Sequence, residues 1–179
     1  MIHSIDRQQL VPAPLEQVFE FFSRARNLEE LTPPWLRFSV LTPEPITMQP
    51  GTLIEYRLRV HRVPMRWVSR IEEWQPGRRF VDRQIRGPYR LWNHTHEFAP
   101  DPRGTVISDS VRYELPMGPV GTVAHAVIVR RDLERVFDYR QRQVERRFAS
   151  KATRGPEDRA EDHADQCRRE PDDPAGYAL

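Results

Sequence analysis

The chain has 179 residues, is 38% hydrophobic and 30% charged, and carries 17 prolines, one cysteine and a net charge of +2. At this length one domain is expected, large enough to bury a core without disulfide or metal staples. The lone Cys167 excludes an intrachain disulfide framework and a CxxC zinc finger, and the longest apolar stretch, Ala124 to Val129, is interrupted by His125, far short of the roughly 20 residues of a membrane helix.

Met1 to Arg7 shows no basic start followed by an apolar run, so no secretory leader is expected and a cytoplasmic location is the default. Basic residues are 27 arginines and the single Lys151. Acidic residues nearly balance them, so this bias does not by itself point to nucleic acid.

The elements follow in chain order. His3 to Val11 alternates and reads as a strand, stopped by Pro12-Ala13-Pro14. Pro14 suits a first helical position, where its missing N–H is harmless, and Glu16 complements the helix dipole in the first turn. Leu15, Val18, Phe19 and Phe22 give that helix one apolar face. A second short helix is expected at Leu28 to Leu31, ending at Thr32-Pro33-Pro34. Period-two runs then cover Leu36–Leu41, Thr52–Val60, Pro64–Trp74, Arg79–Ile85, Tyr89–Phe98 and Thr105–Leu115, each bounded by turn residues. Their short breaks suit antiparallel hairpins.

Gly121 to Phe148 reads as a long helix. Val120, Val123, Ala124, Val127 and Ile128 begin its apolar stripe, and Leu133, Val136, Phe137, Val144 and Phe148 continue it. Beyond Phe148 the character changes. Residues 150–179 hold five basic and eight acidic side chains, almost no large apolar ones and no periodicity. Such a segment is expected to be a disordered charged tail. It carries −3, leaving +5 on a folded unit of residues 1–149.

The predicted class is α+β: a curved antiparallel sheet of about seven strands around a long C-terminal helix, with two short helices after the first strand. One helix, about 10 Å wide, leaves space against a curved sheet, and a space with mixed lining is a ligand pocket.

This order of elements resembles the START/Bet v 1-like (SRPBCC) superfamily, whose fold is the helix-grip. The resemblance is carried by Val11-Pro12-Ala13-Pro14-Leu15-Glu16-Gln17-Val18-Phe19, by Gly87 to Phe98, by Asp109 to Pro116 and by Gly118-Pro119-Val120-Gly121. Within the superfamily the chain is most similar to bacterial polyketide cyclase/dehydrase and coenzyme Q-binding-like proteins. The resemblance covers residues 1–149. It implies a cavity for a hydrophobic small molecule such as a lipid, quinone or polyketide, and fold alone does not choose between carrier, cyclase and interaction module.

Strand alternation narrows the site. Trp92, His94, His96 and Phe98 are expected inward, as are Ile107, Asp109, Val111 and Tyr113, and Met65, Trp67, Ser69 and Ile71. Ile54, Tyr56 and Leu58, and then Phe80, Asp82 and Gln84, complete that face. The candidate ligand-binding residues are Tyr56, Trp67, Asp82, Trp92, His94, His96, Asp109, Tyr113 and Val127. The polar members either satisfy one another, for example Asp109 with a histidine of the neighbouring strand, or orient a ligand oxygen.

If the chain is an enzyme, the candidate catalytic residues are His94, His96 and Asp109, with Tyr56 or Tyr113 as a donor to an enolate oxygen. There is no nucleophile elbow, phosphate loop or dinucleotide fingerprint, and no cofactor is expected. His94-x-His96 on one strand face could share a zinc with Asp109 or Asp82. Two-histidine patterns are common by chance, and the resembled family is not built around a metal, so no metal is expected.

Seven arginines between Arg130 and Arg147 are interleaved with Asp132, Glu134, Asp138 and Glu145, the pattern of a solvated helix face, so no nucleic-acid partner is expected. Trp35 and Trp74 read as exposed aromatics of the kind that marks a membrane or partner contact. Trp35 follows Thr32-Pro33-Pro34 in a loop that could guard the cavity mouth; the plainer reading, a plug at the end of the core, is preferred. The leading function is binding of a hydrophobic small molecule, then a cyclase or aromatase, then an interaction or stress module with a vestigial cavity.

Overall fold

The computed structural model describes residues 1–116 and 128–152, with side chains to residue 149. Strand β1 (His3–Val11) leads into helix α1 (Leu15–Ser23), a 3-10 turn and helix α2 (Leu28–Leu31). Six strands follow: β2 (Ser39–Val40), β3 (Leu53–Val60), β4 (Val63–Gln75), β5 (Arg79–Arg86), β6 (Leu91–Asp101) and β7 (Gly104–Glu114). Helix α3 (Arg130–Ala152) is the last element among the described residues. The seven strands form one antiparallel sheet in the order β1-β7-β6-β5-β4-β3-β2. This is the helix-grip architecture.

Local chemistry explains the boundaries. Pro14 stands one place before α1, as its N-cap rather than its first residue, with φ −58° and ψ 147°. The β3–β4 hairpin turns on His61 and Arg62, both at positive φ (47° and 71°), the conformation that continues the strands' right-handed twist. Gly104 opens β7 at φ 141°, and a Cβ there would lie 2.1 Å from the Val11 carbonyl. That close approach brings the β6–β7 turn against the start of α1, where Thr105 Oγ1 donates to the Ala13 carbonyl at 2.8 Å.

Two expectations are corrected. The run Leu36–Leu41 is mostly not strand: Pro34–Leu36 is a 3-10 turn, and Arg37 at φ 44° breaks the extension, leaving only Ser39–Val40 paired. Trp74 is not an exposed contact residue. A bulge between Ile71 and Glu73 inserts one residue in β4 and reverses its parity. Trp74 then faces inward opposite Phe80 and packs on Phe19, at ring separations of 5.5 and 5.3 Å.

The core falls into two ends and a hollow. At one end α1 inserts Phe19 between Phe80, Phe98 and Trp74, and Phe21 meets Phe148 of α3 edge-on at 5.6 Å. At the other, Leu133 and Phe137 of α3 cover Ile5, Trp92, Val111 and Tyr113. Each such fully buried aliphatic or aromatic side chain contributes about 2–3 kcal/mol. Leu133, Phe137, Val144 and Phe148 are the buried stripe of α3, as the helical spacing predicts. Its 23 residues span about 35 Å. The expected helix start at Gly121, the stripe positions Val120, Val123, Ala124 and Val127, the Gly118–Gly121 turn and the tail from 153 lie outside the described residues. Among the described residues no helix is long and apolar enough to cross a membrane.

Candidate functional site: a cavity with a buried Asp–His–His–Asp cluster

Between the inner sheet face and α3 lies a cavity of about 880 Å³. Ile54, Leu58 and Met65 of the sheet, Leu31 of α2, Phe38 and Met48 of the connecting segments, and Leu133 and Val136 of α3 give it apolar walls. Tyr56, Trp67, Asp82, Trp92, His94 and His96 all line it. Trp35 sits at its rim, half exposed, edge-on to Tyr139 at 5.8 Å with the Arg135 guanidinium 5.3 Å from its ring. It therefore does not plug the core; its 3-10 turn holds it over the mouth beside α3.

The polar wall is built by register. Asp82 pairs with His94 across β5 and β6, and His96 pairs with Asp109 across β6 and β7. Alternation puts both imidazoles on the inner face, where they are 4% and 5% exposed. Their rings lean together, with centroids 3.8 Å apart. Phe80 stacks on His96 at 4.3 Å, while Trp92 and Phe137 meet His94 edge-on.

Asp109 lies behind the histidines and outside the cavity lining. His94 Nε2 donates to Asp109 Oδ1 at 3.0 Å. His96 Nδ1 is 2.7 Å from the same oxygen but out of line for a hydrogen bond, so the contact is an ion pair. On the cavity side Asp82 Oδ2 faces His94 Nδ1 at 3.7 Å and His96 Nε2 at 3.6 Å. Asp82 Oδ1 accepts from Ser69 Oγ at 3.2 Å, and Ser69 Oγ accepts from the Trp67 indole at 3.0 Å.

These environments split the charges. Burial, reinforced by the neighbouring His96, pushes His94 down to about 4 against the pull of Asp109. Burial also works against charge on His96, but Asp109 and Asp82 outweigh it and hold His96 above the ordinary histidine value. Burial would raise both acids; the imidazoles outweigh it and hold Asp82 below, and Asp109 well below, the usual carboxylate range. The two imidazoles are thus pushed in opposite directions while both acids favour the carboxylate form. Burial pushes the Tyr56 hydroxyl up, and Asp82 adds to this, so it is a neutral donor in the wall.

The remaining candidates stand elsewhere. Tyr113 is buried behind Tyr89 and Trp92, with ring separations of 5.8 and 6.2 Å, and does not line the cavity. Val127 lies outside the described residues. Gln84, expected inward, turns to the Tyr89 backbone, donating to its carbonyl at 2.6 Å. One residue that sequence reasoning left among the solvated arginines is Arg140. It lines the cavity, its Nε is buried without a hydrogen-bond partner, and its guanidinium lies 5.3 Å from the Phe137 ring. The signal was its spacing: Leu133, Val136, Phe137, Arg140 and Val144 fall on one helical stripe.

An open antiparallel sheet gripping one long helix over an apolar cavity defines a helix-grip ligand-binding domain. The chain belongs to the polyketide cyclase / dehydrase and lipid transport family, whose model matches residues 3–149. Among solved structures it is similar to protein CV1439 from Chromobacterium violaceum, with 16% identity over 81% of this chain and 96% of that one and a TM-score of 0.61. TTHA0849 from Thermus thermophilus aligns at 20% identity over 84% and 100% of the two chains, with a TM-score of 0.61. The di-domain ARO/CYC StfQ from the steffimycin biosynthetic pathway aligns at 14% identity over 85% of this chain and 52% of that one, with a TM-score of 0.63. At these identities the likeness is one of fold. No curated protein matches the sequence.

Proposed function

We propose that the chain binds a hydrophobic ring-containing or acyl molecule with an oxygen-bearing polar end, held between the sheet and α3. The observation that carries this reading is the distribution of polarity in the cavity. Its walls are aliphatic and aromatic, and the polar groups converge from Tyr56, the Asp82–His94–His96 wall and Arg140. Its volume of about 880 Å³ falls within the roughly 300–1,000 Å³ of small-molecule sites, which speaks against a vestigial cavity. Arg140 has no ion-pair partner among the described residues, and a ligand carboxylate or phenolate would supply one. The family's description, spanning cyclases and lipid transport, supports the same ligand class.

Native mass spectrometry of the protein purified from its own host tests this. The expected result is a co-purifying hydrophobic molecule. An empty protein whose melting temperature is unmoved by fatty acids, quinones and polyphenolic polyketides would overturn it.

A second reading, cyclisation or dehydration of a polyketide-like substrate, is favoured by one observation. His94 is held neutral at the cavity wall while Asp109 fixes its Nε2 proton, the arrangement of an oriented general base. Turnover abolished in His94→Gln with binding retained would establish it; equal turnover would exclude it.

A further inference from the structure

The Asp82–His94–His96 edge of the cluster has a geometry that hydrogen bonding leaves unexplained. On the Asp109 side the contacts are tight, at 2.7 and 3.0 Å. On the Asp82 side both nitrogen–oxygen distances are 3.6–3.7 Å, beyond hydrogen-bond reach. His94 Nε2 is already engaged by Asp109 Oδ1, so Nδ1 is the ring nitrogen left facing the Asp82 carboxylate. Two ring nitrogens and a carboxylate oxygen thus converge in a nearly dry wall with no hydrogen bond between them.

We propose that Asp82, His94 and His96 bind a single first-row divalent metal ion, with one coordination position open to the cavity. The three ligand atoms all lie within 4.8 Å of one another. Tetrahedral bonds of about 2.1 Å place ligand atoms about 3.4 Å apart, a few tenths of an ångström inside the two Asp82–histidine distances of 3.6 and 3.7 Å. Two imidazoles and one carboxylate suit zinc, cobalt or ferrous iron rather than magnesium or calcium.

The supporting side chains fit the same assignment. A metal-bound histidine usually gives its other ring nitrogen to a carboxylate; Asp109 takes that place behind His94 and lies 2.7 Å from the corresponding nitrogen of His96. Ser69 fixes the second oxygen of Asp82, leaving Oδ2 free to ligate. Charge agrees as well. Among the described residues the ion-pair partners of the two carboxylates are these two imidazoles. A divalent ion would offset the two carboxylate charges. The assignment stands independently of what organic molecule occupies the cavity.

The test uses the full, untagged chain after chelator treatment, titrated with zinc or cobalt(II) alone. Calorimetry is expected to show one ion per chain, and cobalt(II) to develop the intense visible bands of a four-coordinate site. In wild-type protein, zinc is expected to shift the imidazole nitrogen resonances of His94 and His96 and not that of His61. Asp82→Asn, which keeps the side chain's shape, is expected to weaken binding at least about 100-fold, and Asp109→Asn about 10–100-fold. No saturable uptake of either ion by the folded wild-type chain would overturn the proposal. So would uptake that leaves the His94 and His96 resonances unmoved, a readout that does not require any variant to fold.

Discussion

His61 Nε2 lies 2.7 Å from Asp132 Oδ2, tying the β3–β4 turn to the first turn of α3. Both side chains line the cavity at its rim, and the link spans the opening between sheet and helix. An exposed pair of this kind contributes below about 1 kcal/mol to stability. Asp132→Ala is therefore expected to leave the melting temperature nearly unchanged and to speed release of a bound apolar fluorophore in stopped-flow displacement. An unchanged release rate would remove this contact from control of the mouth.

Trp35 and Trp74, alike in sequence character, should separate cleanly. Trp74→Ala removes an inward ring packed on Phe19 and Phe80 and is expected to cost about 3 kcal/mol in urea unfolding. Trp35→Ala, at a half-exposed rim position, is expected to cost less than about 1 kcal/mol while weakening ligand retention. Equal costs would contradict the parity reversal at the β4 bulge.

Arg140→Met keeps much of the side chain's apolar stem and deletes the charge. Wild-type protein is expected to prefer a long-chain fatty acid over its methyl ester in competition binding, and the variant to lose that preference. Stability is expected to be unchanged or raised, because a buried unpartnered nitrogen is removed. A preference that survives the substitution would assign the polar end elsewhere.

Asp109→Ala strips both histidines of their shared carboxylate. With His94 and His96 nearly inaccessible, the expected loss is about 3 kcal/mol in denaturant unfolding. Asp6→Ala, on the outer face with a Ser110 hydrogen bond, serves as the comparison and should cost far less.

The boundary expected after residue 149, where the composition changes, also makes a prediction. A chain ending after Ala152 is expected to unfold with the same midpoint and cooperativity as the full chain and to bind the same ligands. A lowered midpoint would show that residues 153–179 contribute to the folded unit.

Much of this architecture was legible because two periodicities dominate the chain. Alternation in β3, β5, β6 and β7 placed Tyr56, Asp82, His94, His96 and Asp109 on one face, and the stripe Leu133–Phe148 placed α3 over it. Trp74 was misread because a bulge changes parity without leaving a composition signal: nothing in Ile71-Glu72-Glu73 announces an extra residue. Tyr113 shares a strand face with Asp109, yet face is not position, and only the packing of Tyr89 and Trp92 in front of it takes it out of the cavity. Arg140 was hidden by its neighbours' charge, although its own stripe position was in plain view. The split between Asp82 at the cavity and Asp109 behind the rings depends on side-chain rotamers of two strands flanking β6, which spacing alone does not determine.

The pairing of β1 with β7 has a consequence for how the molecule is assembled. His3 and Tyr113 are neighbours in the sheet although they stand at opposite ends of the strand run. Closing that loop carries an entropic cost that local hairpins avoid. Asp82, His94, His96 and Asp109, by contrast, all come from the continuous β5-β6-β7 meander. On a ribosome the polar wall is complete once β7 emerges, while its roof, α3, is still unmade. Phe22 and Phe80, which cover His96, are by then already made, whereas Phe137, which covers His94, is not.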